Sequence, residues 1–245
     1  MISSLVPRSD YPTLEESTYL NQASLGLIGR PAVEAMHGFL DDVAQHGNRF
    51  MSDQDEVAYF ESLRTYAAQF LSSDAGWIAI VGGASELLGQ LPYLLEPESG
   101  SRVLAVSTDF PAVTRPWLRL AERGGCELCF VDDVSTDDLT DTLIDAVDER
   151  TSVLAVSQVQ YATGSILDIP RLREATRRVG ANLIVDATQA AGAVSVDVSA
   201  WGAEVVVCSG YKWLGGHGGV AIAAVSPSLL VDNPPLPGWM GAPEP

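Results

Sequence analysis

The sequence predicts an α/β fold, a mostly parallel sheet flanked by helices, and two observations carry the prediction. From about residue 76 onward, short runs rich in Val, Ile and Ala alternate with longer amphipathic stretches. That is the pattern of β-α-β units around a sheet buried on both faces. Of the 245 residues, 47% are hydrophobic and 19% charged, a composition far from disorder in a chain long enough to bury a full core.

Residues 1–75 read as an N-terminal helical segment, with an extended stretch at 18–21 and helices at 31–45 and 53–71. Residues 76–232 read as the sheet-bearing domain, with strands at 77–81, 102–107, 126–131, 152–157, 182–186, 204–209 and 219–225. A helix is expected over 137–148, where Leu139, Leu143 and Val147 recur every four residues and Ser135 or Thr136 caps the start. Another is expected over 170–179, with Pro170 in its first turn. Residues 233–245 hold five Pro and two Gly, which suits a link to a further domain.

Fourteen Lys and Arg against 32 Asp and Glu give a net charge of −18. Such a surface repels phosphate backbones and anionic membranes, so nucleic acid is not an expected partner. The apolar runs, such as 220–225, are far below the roughly 20 residues of a membrane helix. The first residues have neither the basic nor the apolar region of a secretory signal. With three cysteines only, a reducing cytoplasm is the expected location.

Lys212 is the only lysine, while arginine occurs thirteen times. A position that stays lysine in such a chain points to work a guanidinium cannot do, above all nucleophilic attack by a primary amine to form a Schiff base. The plainer alternative is a surface lysine kept by chance. Lys212 directly follows the strand at 204–209, and ligands of open α/β sheets bind at that edge. Asp186 ends the strand at 182–186, where a carboxylate holds a protonated ring nitrogen or else caps the segment after it. The strand at 77–81 runs into Gly82-Gly-Ala-Ser-Glu and a helix, an arrangement suited to an anion. A lysine, an aspartate and a Gly/Ser cradle at three strand ends match what pyridoxal 5'-phosphate (PLP) requires.

The segments Asp186-Ala-Thr-Gln-Ala-Ala-Gly and Ser209-Gly-Tyr-Lys-Trp-Leu resemble the class V aminotransferase group of fold-type I PLP enzymes. The resemblance runs from about residue 19 to residue 241. It implies the fold-type I large domain, Lys212 as the Schiff-base lysine, Asp186 on the pyridine nitrogen and Gln189 on the ring phenolate oxygen. It also implies phosphate binding by Ala84, Ser85 and Ser209, and cofactor stacking by Phe110, where many members have His and where a core ring is the alternative. Asn21, His46 and Tyr161 fall on the substrate side, although His37 and His46 also read as exposed helix residues. His217 stands where most members have Pro, in a turn that approaches the phosphate of a partner subunit.

The implied activity acts on an amino acid, most simply as a lyase cleaving at Cβ or Cγ of a cysteine- or kynurenine-type substrate. Transamination and epimerisation are the alternatives within the family, and a non-catalytic scaffold is the alternative outside it. Gln158-Val-Gln-Tyr-Ala-Thr-Gly looks most like the kynureninase and isopenicillin-N-epimerase branches. Desulfurases usually show His before the lysine and Asn where Tyr161 stands. The family also implies a homodimer and a C-terminal small domain that supplies an arginine for the substrate carboxylate, with Arg30, Arg49 and Arg115 as alternative anchors.

Three other patterns fail on context. Cys126-Glu-Leu-Cys129 lies in a predicted strand, where positions i and i+3 face opposite ways, so no metal site is expected. Gly216-His-Gly-Gly-Val-Ala leads into a strand and not a helix, against a dinucleotide fingerprint. Ser209-Gly-Tyr-Lys spells SxxK, but the partner KTG needs a second lysine.

Overall fold

The structure is a computed structural model in which residues 6–133, 138–230 and 235 are described. Among them, seven strands form one sheet: β1 (Ile78–Val81), β2 (Arg102–Val106), β3 (Glu127–Val131), β4 (Thr151–Ser157), β5 (Asn182–Asp186), β6 (Val205–Ser209) and β7 (Ala221–Val225). Their order is β1-β7-β6-β5-β4-β2-β3. The pairs from β3 to β6 are all parallel, and β7 alone runs antiparallel to both of its neighbours. Because β1 and β6 each oppose β7, they point the same way, and the chain leaves β1, β4, β5 and β6 on one edge.

The helices are α1 (Thr13–Glu16), α2 (Arg30–His46), α3 (Asp53–Leu71), α4 (Ala84–Leu95), α5 (Pro111–Glu122), α6 (Leu139–Ala146), α7 (Ile169–Val179) and α8 (Val198–Trp201). Successive strand residues alternate between two cores. Leu104, Val106, Leu154, Val156, Val206 and Cys208 face the core closed by α3, α6, α7 and α8. Val103, Val153, Ala155, Val205 and Val207 face the core closed by α4 and α5. The period of two in each strand thus produces a three-layer sandwich. Cys126 lies in the second core and Cys129 packs on the first, as opposite-facing positions require.

The sequence left α5 undelimited, since Pro116 inside it interrupts the usual helical signal, yet Val113, Trp117 and Leu120 share its inner face. The expected helix over 137–148 is shorter, and its N-cap is Asp138, whose carboxylate accepts the Thr140 N–H at 2.8 Å. The alternative caps Ser135 and Thr136 lie outside the described residues, as does the stretch 233–245 apart from Pro235. The stretch at 18–21 joins no strand. Helix α2 has no buried residue, and Phe39, Leu40 and Val43 on it are exposed, as are Tyr59, Phe60 and Tyr66 on α3. No helix of the described residues is long and apolar enough to cross a membrane.

Candidate functional site

Ser209 ends β6, and three residues later Lys212 enters a cleft whose wall includes Ser85, Phe110, Ser157, Tyr161 and Asp186. Only 7% of Lys212 is exposed. Burial lowers the pKa of its amine, and the Asp186 carboxylate works in the opposite direction. Its Nζ lies 5.2 Å from the centre of the Phe110 ring and 5.8 Å from that of Tyr211. The Phe110 face is thus turned towards the amine, and the Phe110 and Tyr161 rings stand at 83° to each other with a centroid distance of 5.4 Å.

Asp186 ends β5 and is 5% exposed. Its Oδ1 accepts the Thr188 N–H at 2.8 Å, and the Thr188 hydroxyl accepts the Ser209 N–H at 3.1 Å. One short network therefore ties the ends of β5 and β6. Burial pushes the Asp186 carboxyl up to about 6; the bonds from Thr188 pull it down, the charge of Asp109 raises it and that of Lys212 lowers it. A buried carboxylate so placed needs a cation.

At the end of β1, α4 starts without a side-chain cap. The Ala84 N–H donates to the Ser209 hydroxyl at 3.4 Å. The Gly82 N–H is engaged by the Glu86 carboxylate at 2.8 Å. Ala84 and Ser85 from one stretch of sequence and Ser209 from another line the same cleft as Lys212 and Asp186. A helix N-terminus and two hydroxyls at its mouth suit a phosphate, the buried Asp186 suits a protonated ring nitrogen, and the Phe110 face suits a flat ring. The residues present fit PLP.

Gln189 also borders the cleft, but its side chain has structural partners. Its Nε2 donates to the Ala23 carbonyl at 2.9 Å, and its Oε1 accepts from the Trp213 indole at 2.8 Å. Asn21 and His46 are not in the cleft wall. Asn21 lies in the loop that carries Ala23, and His46 pairs with Asp42 at 3.0 Å and packs against Phe50. His217 is exposed in the turn before β7. Among the described residues, no group of three or more His, Cys, Asp or Glu converges as a metal site would.

The sequence model of the aminotransferase class-V family matches residues 18–240. The chain belongs to the aminotransferase class-V family. Its relatives in that family include the uncharacterized aminotransferase YcbU of Bacillus subtilis (strain 168), 27% identical over 235 residues that cover 96% of this chain and 62% of that protein. A cysteine desulfurase of Salmonella newport (strain SL254) is 27% identical over 250 residues, covering 96% of this chain and 60% of that one. The solved cysteine desulfurase CsdA of Escherichia coli, in an S-sulfonic acid form, is 25% identical with a TM-score of 0.80, over 91% of this chain and 58% of its own. This class-V chain thus spans about 60% of the length of the relatives it matches.

Sequence reasoning missed Asp109, the most heavily bonded carboxylate at the site. It is 5% exposed. Its oxygens accept the Ser157 N–H at 2.7 Å, the Ser157 hydroxyl at 2.6 Å, the Phe110 N–H at 2.6 Å and the Gln160 amide at 3.2 Å. It locks the end of β4 to the segment that presents the Phe110 ring. The signal was an aspartate just ahead of an α-helix, which reads as an ordinary cap. Asp109→Ala strands several buried donors at once and is expected to lower unfolding stability by about 3 kcal/mol in urea titration. A loss under about 0.5 kcal/mol, the scale of a surface change, would show the network to be idle.

Proposed function

We propose that this chain forms the cofactor-binding core of a PLP-dependent enzyme acting on an amino acid, with Lys212 as the covalent attachment point. The cofactor is pyridoxal 5'-phosphate. The observation that carries the reading is the buried Lys212 amine between the Phe110 face and the Asp186 carboxylate. Bound there, the cofactor supplies an electron-withdrawing pyridinium ring for bonds to the substrate α-carbon. Asp186 would keep the ring nitrogen protonated, Phe110 would offer its flat face to the ring, and Ser209 with the first turn of α4 would hold the phosphate. The Lys212 amine, its pKa lowered by burial, takes and returns the Cα proton.

The preferred reaction is lyase cleavage at Cβ or Cγ, with a cysteine-type substrate favoured over a kynurenine-type one because relatives that match more than nine-tenths of this chain are named cysteine desulfurases. None of the three cysteines lines the cleft. Cys208 is buried in the sheet with its thiol pushed up to about 12, so sulfur cleaved from a substrate leaves the cleft without passing to a cysteine of this chain. Transamination is the second reading, favoured by the name of the Bacillus relative. The free thiols fit a reducing cytoplasm. The exposed aromatic side chains of α2 and α3 fit burial against a second copy in a homodimer; size-exclusion chromatography with light scattering tests this, and a monomer would refute it.

The test of the core reading is borohydride reduction of PLP-supplemented protein followed by peptide mapping. The expected result is a pyridoxyl group on Lys212; its absence would overturn the proposal. An amino-acid screen then separates the reactions, since sulfide from cysteine marks the lyase and a keto acid without sulfide marks the transaminase.

A further inference from the structure

We infer that the loop at 21–27 is a strap that positions Lys212, with Gln22 and Gly26 as its positioning residues. This deepens the proposed role of Lys212 and rests on it for its functional consequence. The loop is a tight turn, in which the Asn21 carbonyl accepts the N–H groups of Ser24 and Leu25 at 3.0 and 3.1 Å. The Tyr19 hydroxyl donates to the Leu25 carbonyl at 2.6 Å.

From this turn, three successive residues at the lysine are engaged. The Gly26 N–H donates to the Tyr211 carbonyl at 2.7 Å. The Gln22 amide donates to the Lys212 carbonyl at 2.9 Å, while its oxygen accepts the Leu27 N–H at 3.3 Å. Trp213 is held indirectly, through Gln189 and the Ala23 carbonyl. Gly26 is buried, and a Cβ there would stand 1.9 Å from the Lys212 carbonyl oxygen. The strap therefore sits so close to the lysine backbone that only glycine fits.

Backbone position matters at this residue because the amine sits at the end of four methylenes, and an error at the Cα is carried to Nζ. Alignment of reacting groups to within a fraction of an ångström is a large part of catalysis. Gln22 bridges the strap to the lysine and, with Gly26, fixes the Cα from which the amine reaches between Phe110 and Asp186.

Lys212 being the sole lysine, competitive labelling of the cofactor-free protein with acetic anhydride reads its amine alone once the N-terminal peptide is separated. The variants are Gln22→Met, which keeps the length and loses both hydrogen bonds, and Gly26→Ala. Gly38→Ala, on α2 with nothing within 4 Å of the added methyl, is the control. The expected result for Gln22→Met is a labelling rate changed by about 10-fold and a pH midpoint moved up towards that of ordinary lysine, about 10.4. The midpoint is held down by burial of the amine, and the charge that faces it, the Asp186 carboxylate at the end of β5, acts in the opposite direction. The melting temperature should fall by no more than about 4 °C, the scale of one or two hydrogen bonds in a chain of this size, and Gly38→Ala should match the wild type. Wild-type labelling and midpoint in Gln22→Met would overturn the strap, even if PLP still attaches to Lys212. Altered labelling in a protein that never binds PLP would leave the strap standing and remove its functional consequence.

Discussion

Lys212→Arg is expected to keep the positive charge and lose the visible absorption of the PLP-loaded protein, with no pyridoxyl peptide after borohydride. A guanidinium stays protonated at every accessible pH and cannot attack a carbonyl. The same change removes the amine that moves the Cα proton, so turnover should fall by at least about 10²–10⁴-fold. Stability should change little by comparison, because the arginine retains a cation for Asp186. Retained colour in this variant, with arginine the only basic side chain left besides histidine, would show that the cofactor is held without covalent attachment.

Asp186→Asn is expected to act in opposite directions on folding and function. In the cofactor-free protein the carboxyl is raised from 3.8 to about 6. The folded state then holds this proton more tightly than the unfolded chain does. The associated stability is fully present below pH 3.8 and is lost as pH rises through 6. Above that range the buried charge costs about 3 kcal/mol. Asparagine preserves the acceptor for the Thr188 N–H and carries no charge. The variant should therefore unfold at higher urea than wild type at pH 8, and its stability should lack the decline between pH 4 and 6. The function should move the other way, because a ring nitrogen facing a neutral amide is not held protonated. Turnover is expected to drop on the order of 10²–10³-fold, the scale of removing one preorganised electrostatic partner. Equal or lower urea stability at pH 8, with full turnover, would return Asp186 to the role of a simple cap.

The central strands β2, β4, β5 and β6 were legible because they are buried on both faces and bounded by a turn or a polar residue. Val205–Ser209 and Asn182–Asp186 stand out as continuous apolar runs ending in one polar group. That polar group is also why the site was legible, since an Asp or Ser that ends an apolar run, and a Lys in the loop just beyond it, land on one edge. The antiparallel setting of β7 was not legible, since its sequence, Ala-Ile-Ala-Ala-Val, has no mark of direction. Asp109 was hidden because its partners, Ser157 and Gln160, lie about fifty positions away and no local pattern links them. Gln189 was assigned by resemblance to the cofactor ring, and nothing local to it foretold its engagement with Ala23 and Trp213.

The place of β7 between β1 and β6 has a consequence for how the molecule comes into being. Strand β1 finds its sheet partner only in β7, near the other end of the described chain. The bond from Ala84 to Ser209 joins positions 125 apart, and that from Gln22 to Lys212 joins positions 190 apart. During synthesis β1 must therefore wait, unpaired, until β7 has left the ribosome. Loops of that length are entropically slow to close, and folds dominated by them form late and as a unit. Chains made only as far as β6 lack the strand that seats β1, so pyridoxal phosphate added during refolding should acquire its protein-bound colour no earlier than the kinetic phase in which β7 inserts.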